Sequence, residues 1–348
     1  MRRNQDKGRI RLAAASLLCL ALACGKETLP EVQPEDPVEV SFTVGTADDA
    51  ATRASSGENG TVGKGESIDK LIYAVYDSQG NLLEKFGAAE ADREKGIGVG
   101  QSVVEKGNED SFSLKLTLVR GQEYKVVFWA QSSKSDAFDT EDLRRVRVRY
   151  GDAVSGWAEN NDDSRDAFCK AEIFTATESG TRSVTLHRPF AQINLGMKAD
   201  EYRTLLSRWG WEDVETVELS VGPVATYIDV VNNSVDGVND KRDEVTFAAN
   251  TPLSEPLTVS KDEYKWLSMS YILVADTTEG ASTYSSELSS LSYKLRNGTG
   301  ESKTLVFLPG KEDFTVPVQR NWSTNLLVSM QDVLDICGEG EKVNNESI

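Results

Sequence analysis

Histidine is almost missing from this chain: among 348 residues His187 is the single one. Ser-His-Asp triads and zinc sites rest on histidine with partners arranged around it. One histidine at a strand end, beside Arg188, reads as structural, so no enzyme activity and no cofactor are expected. Cysteine is scarce too, with four in all: Cys19, Cys24, Cys169 and Cys337. Bases are outnumbered, with 56 acids to 38 Lys and Arg and a formal charge of −18. Nucleic acid and anionic membrane surfaces are bound through clustered cations, so no nucleic-acid partner is expected. The chain also lacks an apolar run of the roughly 20 residues that a membrane-spanning helix needs. Its run from Leu12 to Ala23 is shorter than that.

That run has an address written around it. Arg2, Arg3, Lys7, Arg9 and Arg11 precede it with Asp6 as the lone acid, the order of a secretory signal peptide that is set aside in fold reasoning. It ends Leu20-Ala21-Leu22-Ala23-Cys24-Gly25, with small residues just before a cysteine. This resembles the lipobox of bacterial lipoproteins, and the resemblance implies cleavage after Ala23 and acylation of Cys24. Gly25 rather than Asp follows, which by the same resemblance directs the protein to the outer membrane. The alternative is an ordinary secretion signal with an incidental cysteine. A multi-chain lipid anchor holds a protein stably where one chain does not. Lys26 to Pro37 is rich in Glu, Asp and Pro and reads as an extended tether.

Removing Met1–Ala23 deepens the acidity and leaves Cys169 and Cys337 as the body's thiols. They either pair or stand as one buried and one tail thiol, and geometry rather than spacing decides which. The roughly 325 residues that remain are enough for two domains with cores of their own.

Val38, Val40, Phe42 and Val44 alternate with Glu39, Ser41 and Thr43, the period of a half-buried strand. Gly45 to Gly65 is Gly/Ser-rich loop holding Thr52-Arg53-Ala54, the kind of exposed stretch where proteases cut. Leu71–Tyr76, a turn at Asp77–Asn81 and a return through Leu82–Leu83 read as a hairpin. Ser111–Leu118 alternates. Tyr124–Ala130 is apolar enough for a strand buried on both faces. Further strands are expected at Leu143–Tyr150, Ala171–Thr177 and Ser183–Leu186, with an acidic loop over Gly151–Asp166. A second set starts at Phe190–Met197 and continues near Thr216–Val221, Glu244–Ala248, Trp266–Val274, Ser289–Leu295, Lys303–Leu308, Phe314–Val318 and Asn325–Val328. One helix interrupts it. Asp200 can cap it, Tyr202, Leu205, Leu206 and Trp209 share a face, and Gly210 sits at the C′ position. Many short strands with a single short helix argue a mainly β protein of two antiparallel β-sandwich domains. The expected divisions are leader 1–23, tether 24–37, sandwiches 38–187 and 188–336, and a polar tail 337–348.

A family likeness is carried by the lipobox, the early strand Val38–Val44, the Thr52-Arg53 loop, Val184-Thr-Leu-His187-Arg188-Pro-Phe190-Ala-Gln-Ile-Asn-Leu195, and Gln319-Arg320-Asn321-Trp322-Ser-Thr-Asn-Leu326 before a last strand. Together they resemble the fimbrillin-like lipoproteins, type V pilus subunits of anaerobic Gram-negative gut and oral bacteria. The resemblance implies two transthyretin-like sandwiches and a place in surface fimbriae (pili) that support adhesion. It also implies an Arg-specific cut at Arg53 that removes the strand bearing Val38, Val40, Phe42 and Val44. A neighbouring subunit's strand then fills the opened groove, by pairing with its edges and seating alternate side chains in its pockets. Asn325 to Ile336, with Leu326, Val328 and Met330 leading, is the implied donor. The implied partners are other fimbrial subunits, the outer membrane through the lipid, and host or bacterial surface ligands. The polar tail after Ile336 is a poor donor, so an accessory, anchor or tip subunit stands beside the stalk reading.

Other candidates are weaker. Asn232–Asp243 echoes a calcium loop, but Asn232 replaces its first Asp and strands replace its helices. A turn is the better reading, and no metal is expected. Asn160–Asp166 reads as solvated loop. Arg145, Arg147 and Arg149 line one strand face as solvated charge. Six tryptophans leave room for a sugar-stacking platform. The alternative function is accordingly a glycan-binding surface lipoprotein of a polysaccharide-uptake system.

Overall fold

Burial follows the alternation of the first strand. Val38, Val40, Phe42 and Val44 are at most 3% exposed, while Glu39 between them faces solvent. The structure is a computed structural model and describes residues 36–46, 68–89, 93, 97–106, 111–150, 158–236, 244–275, 286–309 and 316–339. Its contacts set Met1–Asp36 apart from Pro37–Ile348, and the strands and helices described belong to the second unit.

In chain order the first half contributes β1 (Val38–Thr46), β2 (Lys70–Asp77), β3 (Gln101–Glu105), β4 (Phe112–Leu118), β5 (Glu123–Gln131), β6 (Phe138–Asp139), β7 (Val146–Val148), β8 (Ala167–Thr175) and β9 (Gly180–Leu186). Next come β10 (Phe190–Lys198), α1 (Ala199–Trp209), β11 (Thr216–Gly222), β12 (Tyr227–Asp229), β13 (Ser234–Asp236), β14 (Val245–Asn250), β15 (Pro256–Val259) and β16 (Asp262–Leu273). The last are β17 (Ser286–Leu288), β18 (Ser290–Arg296), β19 (Ser302–Pro309), β20 (Val316–Val318), β21 (Ser323–Val328) and α2 (Met330–Ile336). The protein is mainly β, built of stacked sheets in a β-sandwich fold.

Three apolar cores lie between the sheets. The first is closed by β4-β1-β9 over β3-β2-β5-β8, with Phe42, Leu116, Phe128 and Val184 inside. β5 is buried on both faces, as its composition predicts: Val126 and Phe128 enter the first core, Val127 and Trp129 the second. The second core also takes Val146 and Ile228 from the sheet β13-β12-β7-β6, and Phe190 and Tyr271 from β15-β16-β10-β21. The third lies between that last sheet and β14-β11-β18-β19, and both helices pack onto it. The β7–β12 ladder, Tyr227 to Arg147 and Ile228 to Val146, joins chain segments from either side of residue 187.

Several local expectations need correction. The partners of β2 are β3 and β5, and the return through Leu82 is a single bridge to Tyr76. The helix starts at Ala199 with Lys198 as its N-cap and no side-chain cap bond, so Asp200 is a first-turn acid rather than the cap. There it favours the positive end of the helix dipole. Gly210 does take the left-handed C-cap conformation, at φ 72°. The single helix becomes two among the described residues, because Ser329 and Asp332 form a capping box that starts α2. This reciprocal pair satisfies the first free amides of a helix, and the strand period through Leu326 and Val328 stops there. Finally, 158–166 is only partly the solvated loop expected: Glu159 and Asp163 face solvent, but Asn160, Arg165 and Asp166 are at most 3% exposed.

Candidate functional site

β1 lies between two strands that meet in a sheet only through it. On one side it runs antiparallel to β4, Val38 opposite Leu118 through Val44 opposite Phe112. On the other it runs parallel to β9, Val40 beside Gly180 through Thr46 beside Leu186. Among the described residues neither β4 nor β9 has a second strand partner. The floor beneath β1 is aromatic, with the Phe42 ring 5.7 Å from that of Phe128 and 5.6 Å from that of Phe174. Outward contacts are thin by comparison. The Glu39 amide donates to Ser179 Oγ at 2.9 Å, and Lys115 pairs with the Glu39 carboxylate at 2.8 Å in solvent. Such an exposed pair is worth at most about 1 kcal/mol. Burying each apolar side chain contributes about 1.5–3 kcal/mol, so the four of β1 supply roughly 6–12 kcal/mol. That is comparable to the entire stability of a typical domain. A body without β1 exposes two unpaired sheet edges and an apolar trough, and this cost falls on it unless another strand replaces β1.

Cys24 and Arg53, the expected lipidation and processing positions, lie outside the described residues, as does Gly237–Asp243 of the calcium-loop echo. The expected donor residues do not share the β1 sheet. Leu326 and Val328 sit on β21, the edge strand that runs parallel to β10, and they pack on the third core. Met330 is not strand: it opens α2, where its amide donates to Glu201 Oε2 at 2.7 Å. Polar rungs hold β21 in register. Ser323 Oγ donates to Gln192 Oε1 at 2.8 Å, and Asn194 Nδ2 donates to Asn325 Oδ1 at 2.8 Å.

The two other motif stretches converge where β21 begins. Arg188, 5% exposed, donates from Nε and Nη2 to both Asp166 carboxylate oxygens at 2.7 Å, and from Nη1 to Asn321 Oδ1 at 2.8 Å. Its guanidinium also sits 4.7 Å from the Phe168 ring centre. Arg320 donates from Nε to the Val274 carbonyl at 2.8 Å. His187 pairs by backbone with Cys169. Cys169, His187, Arg188, Arg320 and Asn321 border a cavity of about 410 Å³.

No group of three or more His, Cys, Asp or Glu able to hold a metal is present among the described residues. Asn160, fully buried, accepts from Ser268 and Ser270 and so belongs to the third core's sheet rather than to a cation loop. Arg145 stacks 4.2 Å over Tyr227, and Arg149 donates to the Asp136 carbonyl at 3.3 Å. Trp129, Trp211 and Trp266 are buried, and no tryptophan is among the exposed large apolar residues described. Cys169 and Cys337 are not joined in a disulfide, Cys169 being buried and Cys337 half-buried. Burial pushes the Cys337 thiol up, and the nearby Glu339 charge adds to this. No helix among the described residues is long and apolar enough to cross a membrane.

The profile of a family of unknown function, DUF6562, matches residues 32–330. No curated protein matches the chain. Solved structures similar to it include a fimbrial assembly protein from Parabacteroides distasonis, 14% identical over 84% of this chain and 90% of that one, TM-score 0.35. A candidate cell adhesion protein from the same species is 11% identical, with coverages of 83% and 87% and a TM-score of 0.41. A candidate polysaccharide-binding protein from Bacteroides thetaiotaomicron is 12% identical, with coverages of 77% and 78% and a TM-score of 0.39.

Proposed function

Taking as premise that this chain belongs to DUF6562, a family of unknown function, we propose that it is a non-enzymatic structural or accessory subunit of cell-surface fimbriae. In this reading Cys24 carries the lipid that tethers the exported precursor to the outer membrane. A protease cuts after Arg53, β1 leaves with the tether, and a strand of another subunit enters between β4 and β9. The assembled fimbriae support adhesion to host or bacterial surfaces.

The observation that carries this reading is the placement of β1. It is the strand nearest the N-terminus among the described residues, it alone joins β4 and β9 in a sheet, and Arg53 follows it in the sequence. An entering strand has to match β1 in direction, antiparallel to β4 and parallel to β9, and place apolar side chains where Val38, Val40, Phe42 and Val44 stood. Leu326 and Val328 of β21 offer that alternation. Continuing the strand through Met330 requires α2 to unwind, and the loss of its Ser329 cap alone costs about 0.5–2 kcal/mol. The burial of Trp129, Trp211 and Trp266 gives the glycan-platform alternative no stacking surface from these three rings.

Treating the full chain with an Arg-specific protease tests the proposal. We expect a new N-terminus at Ala54, loss of the β1 peptide, and growth of species larger than monomer on gel filtration. The Arg53→Gln variant is expected to stay monomeric. A wild-type chain cut at Arg53 that keeps its β1 peptide and remains a monomer would overturn it.

A further inference from the structure

The trough that β1 fills is not uniform along its length. Three of its four inward positions hold valine, Val38, Val40 and Val44, while Phe42 puts a ring into the remaining one. That ring meets two others, Phe128 at 5.7 Å and Phe174 at 5.6 Å and edge-on. In register Phe42 lies between Leu114 of β4 and Arg182 of β9. Phe128 and Phe174 belong to the opposite sheet, on β5 and β8, which pair with each other without β1. The slot therefore keeps its aromatic walls when β1 departs.

Phe174 is itself held in place. Its ring centre lies 4.5 Å from the Arg182 guanidinium, which pairs with Glu172 at 3.5 Å, and 6.4 Å from the ring of Tyr124. The Tyr124 hydroxyl in turn accepts from the Val119 amide at 3.0 Å. Aromatic pairs stabilise beyond the area they bury, so a slot walled by two fixed rings rewards a third. Pockets for alternate side chains are where an added strand is selected. The slot also sets register. Sliding the strand by two residues keeps its apolar face inward, but it puts a valine between the two rings and the phenylalanine in a valine's place.

We propose that the Phe42 slot is the specificity-determining pocket of the groove, and that its preferred occupant is a strand of another subunit with an aromatic residue at the third of four inward positions. This rests on the strand-replacement reading and says which strand the groove selects. Residues 325–336 of this chain contain no aromatic residue. With Thr324, Leu326, Val328 and Met330 facing inward, the slot receives Val328. Moving on by two residues brings Met330 to the slot but buries Asp332 where Val44 stood. This chain's own strand is thus the weaker occupant, and growth by a different subunit is favoured over growth by a second copy.

Displacement of a fluorescent Pro37–Thr46 peptide from the full chain cut after Arg53 tests it. The competitors are the same peptide unlabelled, its Phe42→Leu and Val40→Leu forms, and a Ser323–Met330 peptide. We expect Phe42→Leu and Ser323–Met330 each to bind about tenfold more weakly than the β1 sequence, the scale of two lost ring contacts. Val40→Leu should stay within about threefold, as a change between aliphatic residues. These changes lie in the peptide and leave the folding of the protein untouched. In the protein, Phe174→Leu should narrow the gap between the Phe42 and Phe42→Leu peptides by about threefold or more, because the two rings act as a coupled pair, and the thermal melt of its uncut form checks its fold. Equal binding of Phe42→Leu, a Ser323–Met330 peptide as tight as the β1 sequence, or an undiminished gap in folded Phe174→Leu would overturn this inference alone. A cut chain that binds none of the peptides, that of β1 included, would overturn the strand-replacement reading with it.

Discussion

Asp166 shows what single residues do here that their neighbours in sequence do not reveal. Its carboxylate is 1% exposed and takes two bonds from Arg188, itself 5% exposed. Removing one partner of a buried pair strands the other charge, which costs about 3–5 kcal/mol, whereas replacing both by apolar groups is often close to neutral. Asp166→Ala is therefore expected to lower the unfolding free energy by that amount in urea titration. Asp166→Leu combined with Arg188→Met should recover much of the loss. An Asp166→Ala protein as stable as wild type would show that the pair is solvated. Phe42 and its alternating companions on β1 were legible because period-2 burial is written locally. Asp166 was not, since a carboxylate within the acidic run 159–166 looks like solvent-facing charge until Arg188, 22 residues on, folds over it. Asn160 was hidden for the same reason: its partners Ser268 and Ser270 lie more than 100 residues away.

Among elements, β5, β10 and α1 could be read from pattern alone, because each carries a full turn or pleat of apolar residues. The short strands β3, β6, β12, β13, β15 and β17 could not, since a few residues hold too little periodicity and their pairing is set by distant partners. α2 lies between these cases. Its Ser329-to-Asp332 capping box was present in the sequence, but Leu326, Val328 and Met330 extend the strand period into it. Two carboxylates tie this helix down. Hydrogen bonds from the Ser329 hydroxyl, then from its amide, hold the Asp332 carboxyl below its ordinary value. The bond from Lys303 chiefly holds Glu339 low, against desolvation, and the Trp209 indole helps. Both folded pKa values are depressed, so this stabilisation is complete above the ordinary carboxylate range and is lost as pH falls through the folded values. We expect hydrogen exchange in α2 to accelerate on acidification below that range while β5 stays protected. Equal protection of α2 at neutral and acid pH would contradict this.

For the whole molecule, the predicted mainly β sandwich is what the structure shows. What sequence could not supply was the order in which strands pair. β1, first in the described chain, lies between β4 and β9, and β7 pairs with β12 across residue 187. That order makes β1 both essential to the first core and topologically removable, since it enters the sheet from the chain's N-terminal side. Strand replacement requires that the loss of β1's burial be offset by an incoming strand, so cut chains should not persist as monomers. The most direct measurement is therefore the N-terminal residue and oligomeric state of the protein recovered from its native cell surface. The account predicts polymers whose chains begin at Ala54 and lack the β1 peptide. Monomers that begin at an acylated Cys24 and retain Val38–Thr46 would contradict it.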